Sequence, residues 1–423
     1  MEDFLSFITE EVHFPKVAKI RQKFDRPRIS DIQKEVLCQL SKPEIQKTLR
    51  PGNTIAITAG SRGINNIALV LKTIVSFVKE AGCKPFIFPA MGSHGGATAQ
   101  GQQAVLESLG ITADTMGAEI YCGVDVVEIS KLPDGTPVYI DKFAAQADGI
   151  ILVNRIKPHT AFRSTYESGL VKMAVIGMGK QKGAEICHRK GWGFMAENIK
   201  KIGKEIFQRS NILFGVGLIE NAYDETCKII ALPKEKILDE EPALLKEAMR
   251  LMPSIPFSEL DVLIVDRIGK NISGDGMDPN ITGTHFTPYA SGGPKTENVV
   301  VLDLTDESHG SAIGIGAATV TTKRFFDKID FAKTYPNCLT SKVLDVCKIP
   351  LIAPTDKSAI AAAIYACALA DRDNMRIVRI KDSLHVDEMY ISEALYPDVM
   401  NNPNIEILNE PEEMAFDAYG NLF

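Results

Sequence analysis

From residue 53 onward, short apolar runs alternate with longer stretches in which apolar residues recur every third or fourth position. NTIAITAG at 53–60 reads as a strand ending in glycine. GINNIALVLKTIVSFVKEAG follows, with Ile67, Leu71, Ile74, Val75 and Val78 at helical spacing and a stop at Gly82. KPFIFPAMGSHGG returns as a strand and runs out into a glycine-rich loop. A strand, a helix and a second strand in that order imply a parallel pair. ADGIILVNRIKPH at 147–159 repeats the logic: an apolar strand whose end turns polar. In open α/β sheets ligands gather beyond the C-terminal ends of the strands. Three such ends offer Ser61–Arg62, Ser93–His94 and Lys157–His159.

A second block opens near residue 259. ELDVLIVDRIG and VVVLDLTD read as strands, IPLIAPTDKSAIAAAIYACALAD as a strand with a helix, and MRIVRIKD as a further strand. The segment 309–330 is rich in glycine and alanine and then reads as helical. PSIPFS at 253–258 is a plausible hinge, and 271–295, full of Gly, Pro, Asn and Asp, reads as a long loop. The expected fold class is α/β: two domains, each a mostly parallel sheet flanked by helices. The expected boundaries are 1–258 for a cofactor-binding and catalytic domain and 259–399 for a second α/β domain. The tail from about 400 to 423 is expected to pack back on the first domain.

Composition narrows the classes. The 423 residues are 45% hydrophobic and 24% charged, an ordinary globular balance, with a formal net charge of −7. That charge argues against a broad basic face for nucleic acid and against a polybasic membrane anchor. The start, MEDFLSFITEEV, reads as no signal peptide, and AIAAAIYACALA at 359–370 is too short to span a bilayer. The eight cysteines, at 38, 83, 122, 187, 227, 338, 347 and 367, form no CxxC pair. They suggest neither a zinc site nor a disulfide framework, so a reduced, cytoplasmic protein is the expectation.

The chemistry gathers in PHTAFRSTYESGLVKMAVIGMGKQKGAEICH, 158–188. His94, in GSHGGAT, and His159, after Pro158, both follow strand ends, and a histidine pair suits proton exchange near neutrality. Each could instead be a plain loop histidine. Lys172 sits among Leu170, Val171, Met173 and Ala174; apolar surroundings favour a neutral, nucleophilic amine, unless the side chain snorkels to water. His188 ends a short helical stretch, as a lone ligand without an HxxxH or HExxH partner or as a helix-end histidine. GMGKQKG at 177–183 lacks the GxxxxGK[ST] spacing of a phosphate loop, and no GxGxxG follows the first strand.

Arg62 after the first strand, His94 in GSHGGAT, PH at 158–159, SGLVK ending at Lys172 and His188 sixteen residues on stand in an order that resembles the nickel-pincer lactate racemase family. The resemblance covers almost the whole chain. It implies a nickel-pincer nucleotide (pyridinium-3-thioamide-5-thiocarboxylic acid mononucleotide) joined to Lys172 through a thioamide, with nickel completed by His188. It implies His94 and His159 as the acid/base pair, and Arg62, Ser61, Ser93 and Gly92 beside the cofactor. The active site is expected in the cleft between the domains. The implied reaction is racemisation or epimerisation of a 2-hydroxy acid by transient hydride transfer to the cofactor. The implied partners are the small-molecule substrate and the host's cofactor-building enzymes.

The departures fall at substrate-facing positions. Ala59 stands where the family carries an acidic residue, and RSTYES changes the spacing between PH and the lysine. GDGMDPNITG is similar to the family's aspartate–asparagine loop, but Gly283 and Phe286 lie near the places of its glutamine and lysine, with Lys270 a candidate replacement. A kept cofactor set with an altered substrate set predicts a different or larger hydroxy acid, or a sugar acid. The rival readings are a non-catalytic nucleotide or hydroxy-acid sensor and a nicotinamide-dependent dehydrogenase, the latter disfavoured by the missing dinucleotide fingerprint.

Overall fold

The computed structural model describes residues 5–61, 63–368, 371 and 374–423. Arg62 lies outside the described residues. The chain divides into two compact units, 25–252 and 1–24 with 253–423.

In unit 25–252 a six-stranded sheet runs, in spatial order, Glu119–Ile120, Lys84–Pro89, Thr54–Ala59, Gly149–Arg155, Ile212–Glu220 and Thr226–Pro233. All neighbours are parallel except the last pair. Alternate residues feed two cores because side chains of a strand point to opposite faces. Ile55, Ile57, Ile151 and Val153 enter one core, with the helix Ile67–Glu80 laid across it through Val70, Leu71, Ile74 and Val78. Ala56, Ile150 and Leu152 enter the other, beneath the segments Leu170–Lys172 and Met173–Gly177 and the helices Lys180–His188, Met195–Arg209 and Lys234–Leu251. A sheet buried on both faces explains why its strands read as unbroken apolar runs.

The second unit holds an eight-stranded sheet. Five strands, Leu351–Ala353, Val320–Thr322, Lys295–Leu304, Glu259–Ile268 and Ile377–Ile380, are parallel neighbours. Glu388–Ser392, Val17–Gln22 and Ile405–Ile407 then extend the sheet antiparallel. The helix Asp356–Ala366 starts in a capping box between Thr355 and Ser358 and is buried along Ala359–Ile364, as its composition predicts. The segment 309–330 is less helical than expected: it gives the strand Val320–Thr322 and only the short helix Lys323–Asp327.

The units differ from the boundaries expected above. Residues 1–24 belong with the C-terminal unit, because Ile20 pairs with Met389 on one side and Ile407 on the other. The tail stays on that same unit: the backbone N–H of Lys357 donates to Gly420, and Leu422 N donates to Asp356. Alternation in a strand says which face is apolar, not which distant strand lies alongside. Ile20 is fully buried at this junction. Ile20→Ala is expected to cost about 2–5 kcal/mol, read as a lower denaturant midpoint for the transition of this unit.

Candidate functional site

The strands Lys84–Pro89, Thr54–Ala59 and Gly149–Arg155 are adjacent and parallel, in the registers Ala59↔Pro89 and Ile57↔Ile151, so their C-terminal ends share one edge. Each end is tied to the segment that carries Lys172. Asn154 Nδ2 donates to Gly169 O at 2.9 Å, and Gly92 N donates to Gly177 O at 3.4 Å. The Met173 methyl packs over Gly60. Lys172 ends the turn Leu170–Lys172, and the chain at once widens into a π-helical turn over Met173–Gly177. Such turns are uncommon and recur at functional sites.

Glu241, on the helix Lys234–Leu251 and 1% exposed, fixes the start of the Lys172 turn. Its carboxylate accepts from Val171 N at 3.0 Å and from Leu170 N, the donors a helix start leaves open. Gly169 permits this approach, since a Cβ there would lie 2.4 Å from Glu241 Oε1. Burial pushes the Glu241 carboxyl up to about 7, against the pull of the two N–H donors.

His159 follows Pro158 just beyond the third strand. Its backbone N–H donates to Glu167 Oε2 at 2.7 Å, and its Nδ1 accepts from Ala161 N at 3.0 Å. Glu167, 1% exposed, also accepts from Ser164 N and from Arg163, while burial still raises its carboxyl above the usual range. The His159 ring stacks on Phe162 with centroids 4.5 Å apart and lies 5.8 Å from Trp192. Trp192 in turn meets His188 edge-on at 4.8 Å, so the one tryptophan of the chain spans the two histidines. Desolvation lowers the His159 pKa well below the ordinary histidine value, and the charges of Lys172, His188, Lys157 and Arg163 push the same way. The imidazole is therefore neutral at pH 7.

His188 ends the helix Lys180–His188, as expected, and is half-buried there. His94 stands at the start of the turn Gly95–Ala97, with its N–H on Met91 O. Gln102, fully buried, holds this loop from below: its amide donates to Gly92 O at 3.2 Å and His94 O at 3.4 Å. Gly95, at φ 66, lies so near the helix Ala99–Ser108 that a Cβ would come within 2.6 Å of Gln102 N. Lys180 then fastens Gln102. Its ammonium, 1% exposed, reaches Gln102 Oε1 at 3.3 Å, Asp141 Oδ2 at 3.1 Å and Pro89 O. Burial pushes Lys180 down and Asp141 up, while their mutual attraction opposes both shifts; three acceptors around one ammonium hold it charged. So this lysine of GMGKQKG serves the loop of His94 from inside the protein and is not open to a phosphate.

The structure thus brings His159, Lys172 and His188 together, and anchors the loop of His94, Ser93 and Gly92 to the segment after Lys172. Ser61 is half-buried two residues past its strand. Sequence reasoning missed Trp192, Glu241, Glu167 and Gln102. The lone tryptophan between glycines, GWG, was a usable signal; the other three are ordinary polar residues whose partners lie far along the chain or face inward. Among the described residues no group of three or more His, Cys, Asp or Glu side chains is arranged to hold a metal ion. Nor is any helix among them long and apolar enough to cross a membrane.

Two outcomes are expected. Below about pH 4.5 Glu241 is protonated in both folded and unfolded chains; between there and 7 the folded chain holds the extra proton. Its contribution to stability is thus full at the acid end and is lost as pH rises through about 7. Glu241→Gln should flatten that part of the thermal-midpoint profile between pH 5 and 8, whereas Glu241→Ala should destabilise at every pH by about 1–3 kcal/mol through its orphaned N–H groups. Lys180→Met should cost about 3–5 kcal/mol in chemical denaturation by stranding Asp141, and Asp141→Asn with Lys180→Met should recover much of the loss.

Residues 16–203 match the family model of the lactate racemase N-terminal domain. The fold is similar to the lactate racemase apoprotein from Thermoanaerobacterium thermosaccharolyticum, with a TM-score of 0.52 and 15% identity, over 88% of this chain and 99% of that one. No curated protein matches the sequence. Residues 16–203 are thus similar to a lactate racemase N-terminal domain, and the fold of the chain is similar to that of a lactate racemase apoprotein.

Proposed function

We propose that the protein is a racemase or epimerase of a 2-hydroxy acid, a sugar acid or a hydroxy acid larger than lactate, working with a nickel-pincer nucleotide. The observation that carries this reading is the grouping of Lys172 and His188 with neutral His159, with Trp192 spanning the two histidines, beside three strand ends. The donor set fits the group. His188 offers one imidazole, which suits a metal whose other donors come from an organic molecule. Lys172 would hold that molecule covalently, with Gly92, Ser93 and Ser61 along the nucleotide. When bound, the cofactor supplies a reversible acceptor for the hydride of the substrate α-carbon.

The residues of the chain do the remaining work. The cations Lys157 and Arg163 near His159 make a field suited to a carboxylate substrate. The bond from Ala161 to Nδ1 places the proton of neutral His159 on Nε2. In this tautomer the ring donates; to accept a proton at Nε2 it must move its own to Nδ1 and open the Ala161 contact. His94 exchanges the proton for the opposite enantiomer. Phe162 and Trp192 pack against the His159 ring on this side.

The test is intact-protein mass spectrometry with nickel analysis on chain co-produced with the cofactor-making enzymes, followed by a screen of 2-hydroxy acids. An adduct on Lys172 with about one nickel per chain is expected. Lys172→Ala should lose the adduct, and His188→Ala should lose nickel while keeping the adduct. With a substrate in hand, the acid limb belonging to His159 should lie below pH 6.5, since its pKa is lowered. Unmodified, nickel-free chain from cells that load a known enzyme would overturn the reading.

A further inference from the structure

In the unit of 1–24 and 253–423, two cysteines face one another. Cys338 lies on the helix Phe331–Ser341, and Cys347 closes the turn Leu344–Cys347. Their Sγ atoms are 2.9 Å apart, closer than two unbonded sulfurs ordinarily sit. A disulfide needs about 2.0 Å, so bonding asks for a shift of only about 1 Å. The connection between them is short and already folded back: Lys342 takes φ 59 and ends the helix, and Val343 N returns to Cys338 O at 3.3 Å. The two thiols differ in access. Cys338 is 2% exposed within a small apolar cluster with Ile313 and Val346, whereas Cys347 is half-buried at its rim.

We propose that Cys338 and Cys347 are a reversible disulfide-forming pair, a modification site that cross-links the 338–347 turn in response to a low-molecular-weight disulfide. The thiolate of Cys347 attacks one sulfur of the small disulfide RSSR, leaving a mixed disulfide and releasing one RSH. Cys338 then gives up its proton, attacks the Cys347 sulfur and expels the second RSH. Two cysteine thiols are oxidised by two electrons, RSSR is reduced to two RSH, and both protons leave with them. Burial, the neighbouring Cys338 thiol and Asp345 push the Cys347 thiol up to about 12, which makes the first attack slow at neutral pH. The link therefore closes slowly and needs sustained oxidation.

The cross-linked turn is joined to a distant loop. Val346 O accepts from Gly314 N at 2.8 Å, and Gly316 packs so tightly on Asp345 O that a Cβ would lie 1.7 Å from it. Gly314 meets Asp275 O with the same closeness. The disulfide thus stiffens the support of the 271–295 loop. It does so without reference to the proposed reaction.

The experiment incubates the full chain with glutathione disulfide or with dithiothreitol, blocks free thiols with iodoacetamide, and maps unreduced tryptic peptides. Cleavage at lysine separates TYPNCLTSK from VLDVCK, so a link joins two peptides. The expected product is that linked pair, about 2 Da lighter than the sum of the two thiol peptides, with a raised thermal midpoint for the unit. Cys338→Ser should trap Cys347 as a glutathione adduct, and Cys347→Ser should leave Cys338 reduced. Glutathione on Cys347 without the link in the unaltered chain, or two alkylatable thiols after prolonged oxidation, would overturn the proposal without touching the racemase reading.

Discussion

A charged ammonium held away from water, that of Lys180, is the constraint on which the candidate site depends. Taking an ion out of water is tolerable only where acceptors surround it. Asp141, Pro89 and Gln102 supply them, and each belongs to a different part of the unit. Asp141 itself caps the helix Lys142–Gln146 through Ala144 N, so one carboxylate ends a strand, starts a helix and neutralises the lysine. Gln102 passes the constraint on to the carbonyls of Gly92 and His94. A loop of glycines would otherwise sample many backbone shapes. Here its carbonyls are held by a polar chain that begins in the core.

A second buried carboxylate acts on the opposite flank. Glu241 takes the place of a cap for the turn that presents Lys172, and it does so from a helix some 70 residues later in the chain. Between the two carboxylates lies the π-helical turn Met173–Gly177, whose glycine end touches the His94 loop. His159 and Lys172 therefore stand on short, polar-anchored segments in an otherwise apolar unit. Such segments give precise placement without lengthening any strand.

Much of this was readable from the chain. The strands at 54–59, 84–89 and 149–155 and the helix at 67–80 follow from period-two and period-3.6 patterns, and the polar residues after each strand marked the edge where the site gathers. His159, Lys172 and His188 were legible because histidines are few and because a lysine stood within an apolar run. What was not legible depends on contacts between residues distant in sequence. Nothing in DEEP announces that Glu241 would be the buried one of its neighbours. Nor does GMGKQKG announce that Lys180 turns inward, at φ 55, to be buried. The approach of Cys338 and Cys347 follows from a left-handed residue at 342, which a spacing of nine residues does not reveal.

The strand Val17–Gln22, set between Glu388–Ser392 and Ile405–Ile407, bears on synthesis at the ribosome. Its partners on both sides are made after it and after the whole of 25–252. The strand Val17–Gln22 emerges and must wait unmatched meanwhile. That continuous unit has every strand of its own sheet in hand and can fold during the wait. The unit carrying Lys172 can thus form before the second sheet closes.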